Sequence, residues 1–418
     1  MQEIYLNYLK FIRKEKRILS FGLSFSFLSS FGQTFFISLF VPYFLPNFSL
    51  SNGTFGTLYA IATLISAGSL PYLGKWIDHI SLRKYSFFVI VGLLAASLMV
   101  TISSNIGMLF VGILLLRISG QGLSSHTART TMARYFEFQR GRALSVSSLG
   151  YPIGEGILPL AVSGLLGILS WRTIWVVVMV LIILVFAPLI WFLLGEQSYE
   201  LSGENSSKPK AGESSWPVYK MLFQDYRFWL SAPAVLLPPF WITGLFLYQV
   251  SVAKQLSWSA ELIATAFVGF AVSRIISSLS VGPIIDHFSA ESIFPFYLLP
   301  LAGGLVTAFY HPGQWSAFLY MILVGVTLGI GSNITSALWA ELYGTKVLGT
   351  VRSLFSSLRV FGTAVCPLLM GWAIDRNMSM ETIIFIAILS VAAATFLVFA
   401  AFWAPALDDS PEESFAEG

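Results

Sequence analysis

Twelve runs of mainly apolar residues, each twenty residues or longer, follow one another along this chain. They fall at 18–45, 53–74, 85–104, 106–131, 143–168, 172–194, 227–253, 259–282, 291–311, 315–340, 347–372 and 381–404. About 20 apolar residues in a helix cross the roughly 30 Å hydrocarbon core of a bilayer. Hydrocarbon offers no partner to a backbone N–H or C=O, so such runs must satisfy their hydrogen bonds internally, as helices do. The sequence therefore predicts an all-α integral membrane protein with twelve transmembrane helices. Composition agrees. Hydrophobic residues make up 56% of the chain and charged ones 11%, with a mean hydropathy of +0.76, which excludes a soluble enzyme and a disordered chain.

The same composition narrows the chemistry. Cys366 is the single cysteine, so neither an internal disulfide nor a Cys-pair metal site is possible. The net charge is +3, and the basic residues lie in short scattered clusters, which argues against nucleic-acid binding. No H-E-x-x-H, G-x-S-x-G or phosphate-binding loop occurs, and the four histidines do not pair at ligand spacing. The expectation is no enzyme, no ATP-driven pump, no metal and no cofactor.

Of the 24 Lys and Arg, 18 flank the spans on one side and 3 on the other. The positive-inside rule then puts both termini in the cytoplasm. The longest polar stretch, 196–225, reads as a flexible cytoplasmic linker. It separates an N-terminal six-helix bundle (1–195) from a C-terminal one (226–405), and an acidic cytoplasmic tail follows at 406–418.

The halves repeat. Gly74-Lys-Trp-Ile-Asp78-His79-Ile-Ser81 recurs 208 residues later as Gly282-Pro-Ile-Ile-Asp286-His287-Phe-Ser289. The same offset relates Gly141 to Gly349, Gly154 to Gly362 and Pro159 to Pro367. Parallel six-helix repeats are a transporter architecture with the substrate site between the halves near the midplane. With Gly74, Asp78 and Arg83 after the second span, and Arg117-Ile-Ser-Gly120-Gln121-Gly122 in the fourth, the chain resembles the major facilitator superfamily. The segment from Ala133 to Pro159, closed by Trp171-Arg172, looks most like its monocarboxylate and oxalate/formate branches. The resemblance implies two pseudo-symmetric six-helix bundles that work by alternating access. It also implies a conformational latch at the inner face, built on Gly74, Asp78, Arg83, Gly282 and Asp286.

Charges inside the spans are the candidates for function. At about 1.5 Å per residue, Arg117 lies roughly 21 Å from the inner ends of the spans, and Glu155, Arg274 and Arg359 about 18 Å. Three guanidinium groups against one carboxylate predict a cavity that selects an anion, which the planar fork of Arg binds well. Arg274 and Arg359 are the expected substrate ligands, with Gln33 and Trp241 as further contacts. Glu155 is the expected proton site, paired with and controlled by Arg117. The function expected is a secondary active transporter of a small organic anion, a carboxylate in the first instance, driven by protons or a counter-substrate. The alternative is a drug or metabolite exporter working as a proton antiporter on the same fold. The protein is expected to act as a monomer in the lipid bilayer of a bacterial inner membrane.

Overall fold

A computed structural model describes residues 10–136, 139–195, 216–310, 313–344 and 347–403. Among them there is no strand. The spans are α1 (Lys16–Gly32, continued by Thr34–Asn47), α2 (Asn52–Asp78), α3 (Leu82–Thr101), α4 (Ile106–Tyr135), α5 (Arg140–Leu166) and α6 (Trp171–Leu194) in the first half. The second half holds α7 (Tyr226–Leu247), α8 (Glu261–Phe288), α9 (Ala290–Tyr310), α10 (Trp315–Tyr343), α11 (Leu348–Asp375) and α12 (Met380–Phe402). Each corresponds to one apolar run of the sequence.

Local chemistry sets several boundaries. Ser51, Asn105, Ser170 and Ser259 precede α2, α4, α6 and α8, and each accepts a hydrogen bond from the amide three residues on, the ordinary N-cap. Of the expected linker, 196–215 lies outside the described residues, as does the tail at 406–418. The remainder, Trp216–Gln224, is helical and buries Leu222. Asp225 then caps α7 through the Arg227 amide (2.8 Å) and accepts from the Tyr343 hydroxyl of α10 (2.7 Å).

Within the first half, α1 packs on α4, α5 and α6, and α3 on α4 and α6; a stack of rings from Phe31 through Phe36 and Phe40 to Trp175 fills the space between. Within the second, α8 packs on α10, α7 on α11 and α12, and α9 on α10 and α12. The halves meet through α2 against α11 and α5 against α8. These two contacts exchange under the 208-residue repeat, which maps α2 onto α8 and α5 onto α11, as a pseudo-two-fold arrangement of two bundles requires.

Two departures from regular geometry lie near the centre of the first half, besides a π-helical turn at Ile182–Phe186 in α6. At Gln33 the backbone of α1 becomes extended (φ −82°, ψ 156°), and the two parts of the helix meet at 47°. At Leu116–Ser124 α4 winds as a π-helix, with one extra residue in the turn.

Candidate functional site

The face on which α6 ends and α7 begins is called the linker face here, and the opposite one the far face. On the far face the halves are tied together. Asp375, the last residue of α11, accepts from the amides of Asn52 (2.9 Å) and Gly53 (2.8 Å) and from the Asn52 side chain (3.1 Å), all at the start of α2. A carboxylate at a helix N-terminus meets unsatisfied N–H groups and the positive end of the macrodipole. One turn earlier, Gly371 lets α2 come close: a Cβ there would collide with the Asn52 carbonyl and the Tyr248 hydroxyl. Tyr248, just past α7, donates to the Asn52 carbonyl (2.8 Å), and Gln249 donates to Ser38 in α1 (2.7 Å).

Deeper in, Arg274 of α8 forms an ion pair with Glu155 of α5 through Nη1 and both carboxylate oxygens. The pair is mostly buried and joins opposite halves. The sequence paired Glu155 with Arg117 instead, and that expectation is corrected. Arg117 is 1% exposed and donates to the Gly32 carbonyl (3.1 Å), with its guanidinium 4.9 Å from the centre of the Tyr59 ring. It thus serves the break in α1. There the Phe36 amide bonds Gln33, so the Gly32 carbonyl has no helical donor and takes Arg117. Gly32 also lies against the π-helical turn of α4, where a Cβ would overlap the Leu116 carbonyl.

Between the pair and the linker face, no hydrogen bond joins the halves among the described residues. The bonds between the halves that the described residues make are thus confined to the far face and the Glu155–Arg274 pair. Arg359 of α11 is exposed, without a carboxylate at ion-pair distance among the described residues. Gln33 is half-buried at the helix break. Trp241 points within its own half and donates to Ser390 of α12 (2.8 Å).

The expected latch residues make no bond between the halves in this conformation. Asp78 pairs with Arg134 of α4, inside its own half. Arg83 stacks on the Trp191 ring. Gly282 faces open space and Asp286 is exposed. A cavity of about 490 Å³ lies beside Gly74 and Asp78, bordered by His126 and Arg134. The engaged counterpart is on the far face: Gly371-Trp-Ala-Ile-Asp375 is a third Gly-x-x-x-Asp, present in the sequence but without a copy at the 208-residue offset in the first half.

The sequence profile of the Major Facilitator Superfamily matches residues 23–252 and 239–417, two overlapping matches that span nearly the whole chain. No curated protein matches it. Among solved structures, the chain is similar to a bacterial homolog of the human lysosomal transporter Spinster in an inward-facing, unoccupied conformation (TM-score 0.70, 15% identity, 94% of this chain and 99% of that one). It is also similar to the nucleoside transporter NupG (TM-score 0.73, 13% identity, 93% of this chain and 100% of that one). At such identities the likeness speaks to the fold alone.

Proposed function

The chain belongs to the major facilitator superfamily and is a multi-pass membrane transporter, and from that premise we propose that it carries a small organic anion in company with a proton. The observation that supports this reading is the Glu155–Arg274 pair between the halves, together with an exposed Arg359 that has no carboxylate at ion-pair distance among the described residues.

The proposed coupling follows from charge balance. In the present state Glu155 neutralises Arg274. A proton on Glu155 removes that counter-charge and leaves a guanidinium in a poorly hydrated setting, which is costly. An anion on Arg274 restores neutrality. Proton and anion therefore favour each other's binding, and by linkage the effect is reciprocal. By the same linkage anion binding strengthens as pH falls. Because the two partners belong to α5 and α8, replacing their bond by an anion also loosens a tie between the halves, which connects binding to rocking of the bundles.

Arg359 attracts and holds the anion from α11. Gln33 presents its amide from the unwound part of α1, the kind of broken helix that lines transporter sites. Trp241 is held by Ser390 and supplies wall. Arg117 acts on the site by fixing the break in α1. The Gly74–Arg83 and Gly282–Asp286 segments form the latch of the opposite conformation. The lysine and arginine bias supports cytoplasmic termini in a bacterial inner membrane.

Proteoliposome exchange with a panel of labelled organic acids tests the reading. Arg359→Ala should lose about 2–5 kcal/mol of substrate binding, roughly 30-fold or more in affinity, and Arg359→Lys should restore only part of it. A substrate that proves to be a cation or a neutral sugar overturns the proposal.

A further inference from the structure

Helix α11 has two exposed sides of opposite character. At about 100° per residue, Arg352, Ser356, Arg359 and Thr363 fall within about 60° of one another around the helix. The first three are exposed and Thr363 is half-buried. Leu358, Phe361 and Leu369 are exposed on the opposite side. Apolar side chains can face lipid, but an exposed guanidinium within a span must meet water or protein. One side of α11 therefore faces lipid and the other an aqueous path. Bonds inside the second half bound that path. Arg352 donates to the Ser336 hydroxyl of α10 (3.0 Å). Asn333, three residues earlier and on the same face of α10, donates to the Ser278 carbonyl of α8 (3.0 Å). Arg274 stands one turn before Ser278, so polar groups run from Arg352 to the Glu155–Arg274 pair.

The 208-residue offset sets Thr363 at the register of Glu155, and Arg359 one turn from it on the linker side. Arg352 lies seven residues, about 10.5 Å, further toward the linker face. Among the described residues neither arginine has a carboxylate at ion-pair distance. Ser336 is a neutral partner and leaves the charge of Arg352 standing. We propose that Arg352 is a capture site for the transported anion at the linker-face mouth of this path, from which its carboxylate passes by the Ser356 hydroxyl to Arg359. In water at physiological salt a charge is felt over about 8–10 Å, so the field of Arg359 reaches an anion held at Arg352. One monoanion visits the two arginines in turn, and it reaches Arg274 only when a proton on Glu155 releases that partner. This rests on the organic-anion reading above and goes beyond it in assigning the site that first holds the anion on the linker side.

The test places one thiol in the path of the full-length protein, as Ser356→Cys in a Cys366→Ser background, in membrane vesicles with the linker face outward. The probes are two impermeant thiol reagents, the organic anion 2-sulfonatoethyl methanethiosulfonate and its trimethylammonium counterpart, a cation. Each rate is divided by that of Ser206→Cys in the linker. The anion should react faster than the cation in Ser356→Cys. Arg352→Gln should lower the anion-to-cation ratio about tenfold at low ionic strength. Arg352→Lys keeps the charge and should keep the ratio, as should Ser336→Ala, which removes only the hydrogen bond. With Arg352 in place, added salt should shrink the preference. An unchanged ratio in Arg352→Gln overturns the inference. So does a thiol that neither reagent reaches from the linker face, or a preference that salt leaves untouched. An equal fall in Ser336→Ala makes Arg352 a packing residue and overturns it as well. Each of these, with an organic acid transported by the wild type, leaves the organic-anion reading standing. Transport of a cation or neutral solute removes both.

Discussion

Arg117 and Arg274 show what separates depth from partnership at the scale of single residues. Counting 1.5 Å per residue puts Arg117, Glu155 and Arg274 at similar depth, and all three lie deep among packed helices. Which arginine meets Glu155 depends on the direction each side chain takes. The π-helical turn at Leu116–Ser124 shifts that direction relative to a 3.6-residue extrapolation, and nothing in the apolar pattern announces it. Arg117 therefore serves the Gly32 carbonyl, and Arg274 reaches across the halves to Glu155. Removing Arg117 as Arg117→Ala leaves a buried carbonyl without its donor and should destabilise the protein by about 1–3 kcal/mol, visible as earlier thermal unfolding in detergent. A double-mutant cycle with Glu155→Gln should give a coupling near zero, because the two residues share no partner. A large coupling energy would restore the pairing that the sequence suggested.

At the scale of elements, the recurring Gly-x-x-x-Asp explains both a success and an omission. Its two copies at the ends of α2 and α8 were legible because they repeat at one offset. The third, at the end of α11, has no such echo in α5, yet it is the copy that holds the halves together here, through Asp375 on the start of α2. A motif names a capping chemistry; which copy is engaged belongs to the conformation. Asp375→Asn loses charge-assisted bonds of about 1.5–3 kcal/mol each when intact. With 1.4 kcal/mol equal to a factor of about ten, even part of that loss should move the population toward a far-face-open state by tenfold or more. Spin labels on the far-face ends of α2 and α11, in a Cys366→Ser background, should show a longer distance component in Asp375→Asn. An unchanged distance distribution would mean that Tyr248 and Gln249 hold the far face unaided.

The whole molecule was the most legible level. Long apolar runs leave hydrocarbon-spanning helices few alternatives, and the 208-residue repeat implied two bundles. The sequence did not reveal the break at Gln33, since one extended residue inside a run leaves its hydropathy unchanged. Orientation rests on the 18 Lys and Arg that flank one side. Epitope tags at either terminus or within 196–225 should react only after permeabilisation of cells, and labelling of a linker tag in intact cells would invert the topology. The central claim is that the Glu155–Arg274 bond between the halves is what a proton and an anion replace together. Its most direct test is accumulation of the transported anion in proteoliposomes under a pH gradient, acidic on the side from which the anion enters. The wild type should concentrate the anion, and Glu155→Gln should still exchange it across the membrane without concentrating it. Accumulation by Glu155→Gln at the wild-type level would contradict the account.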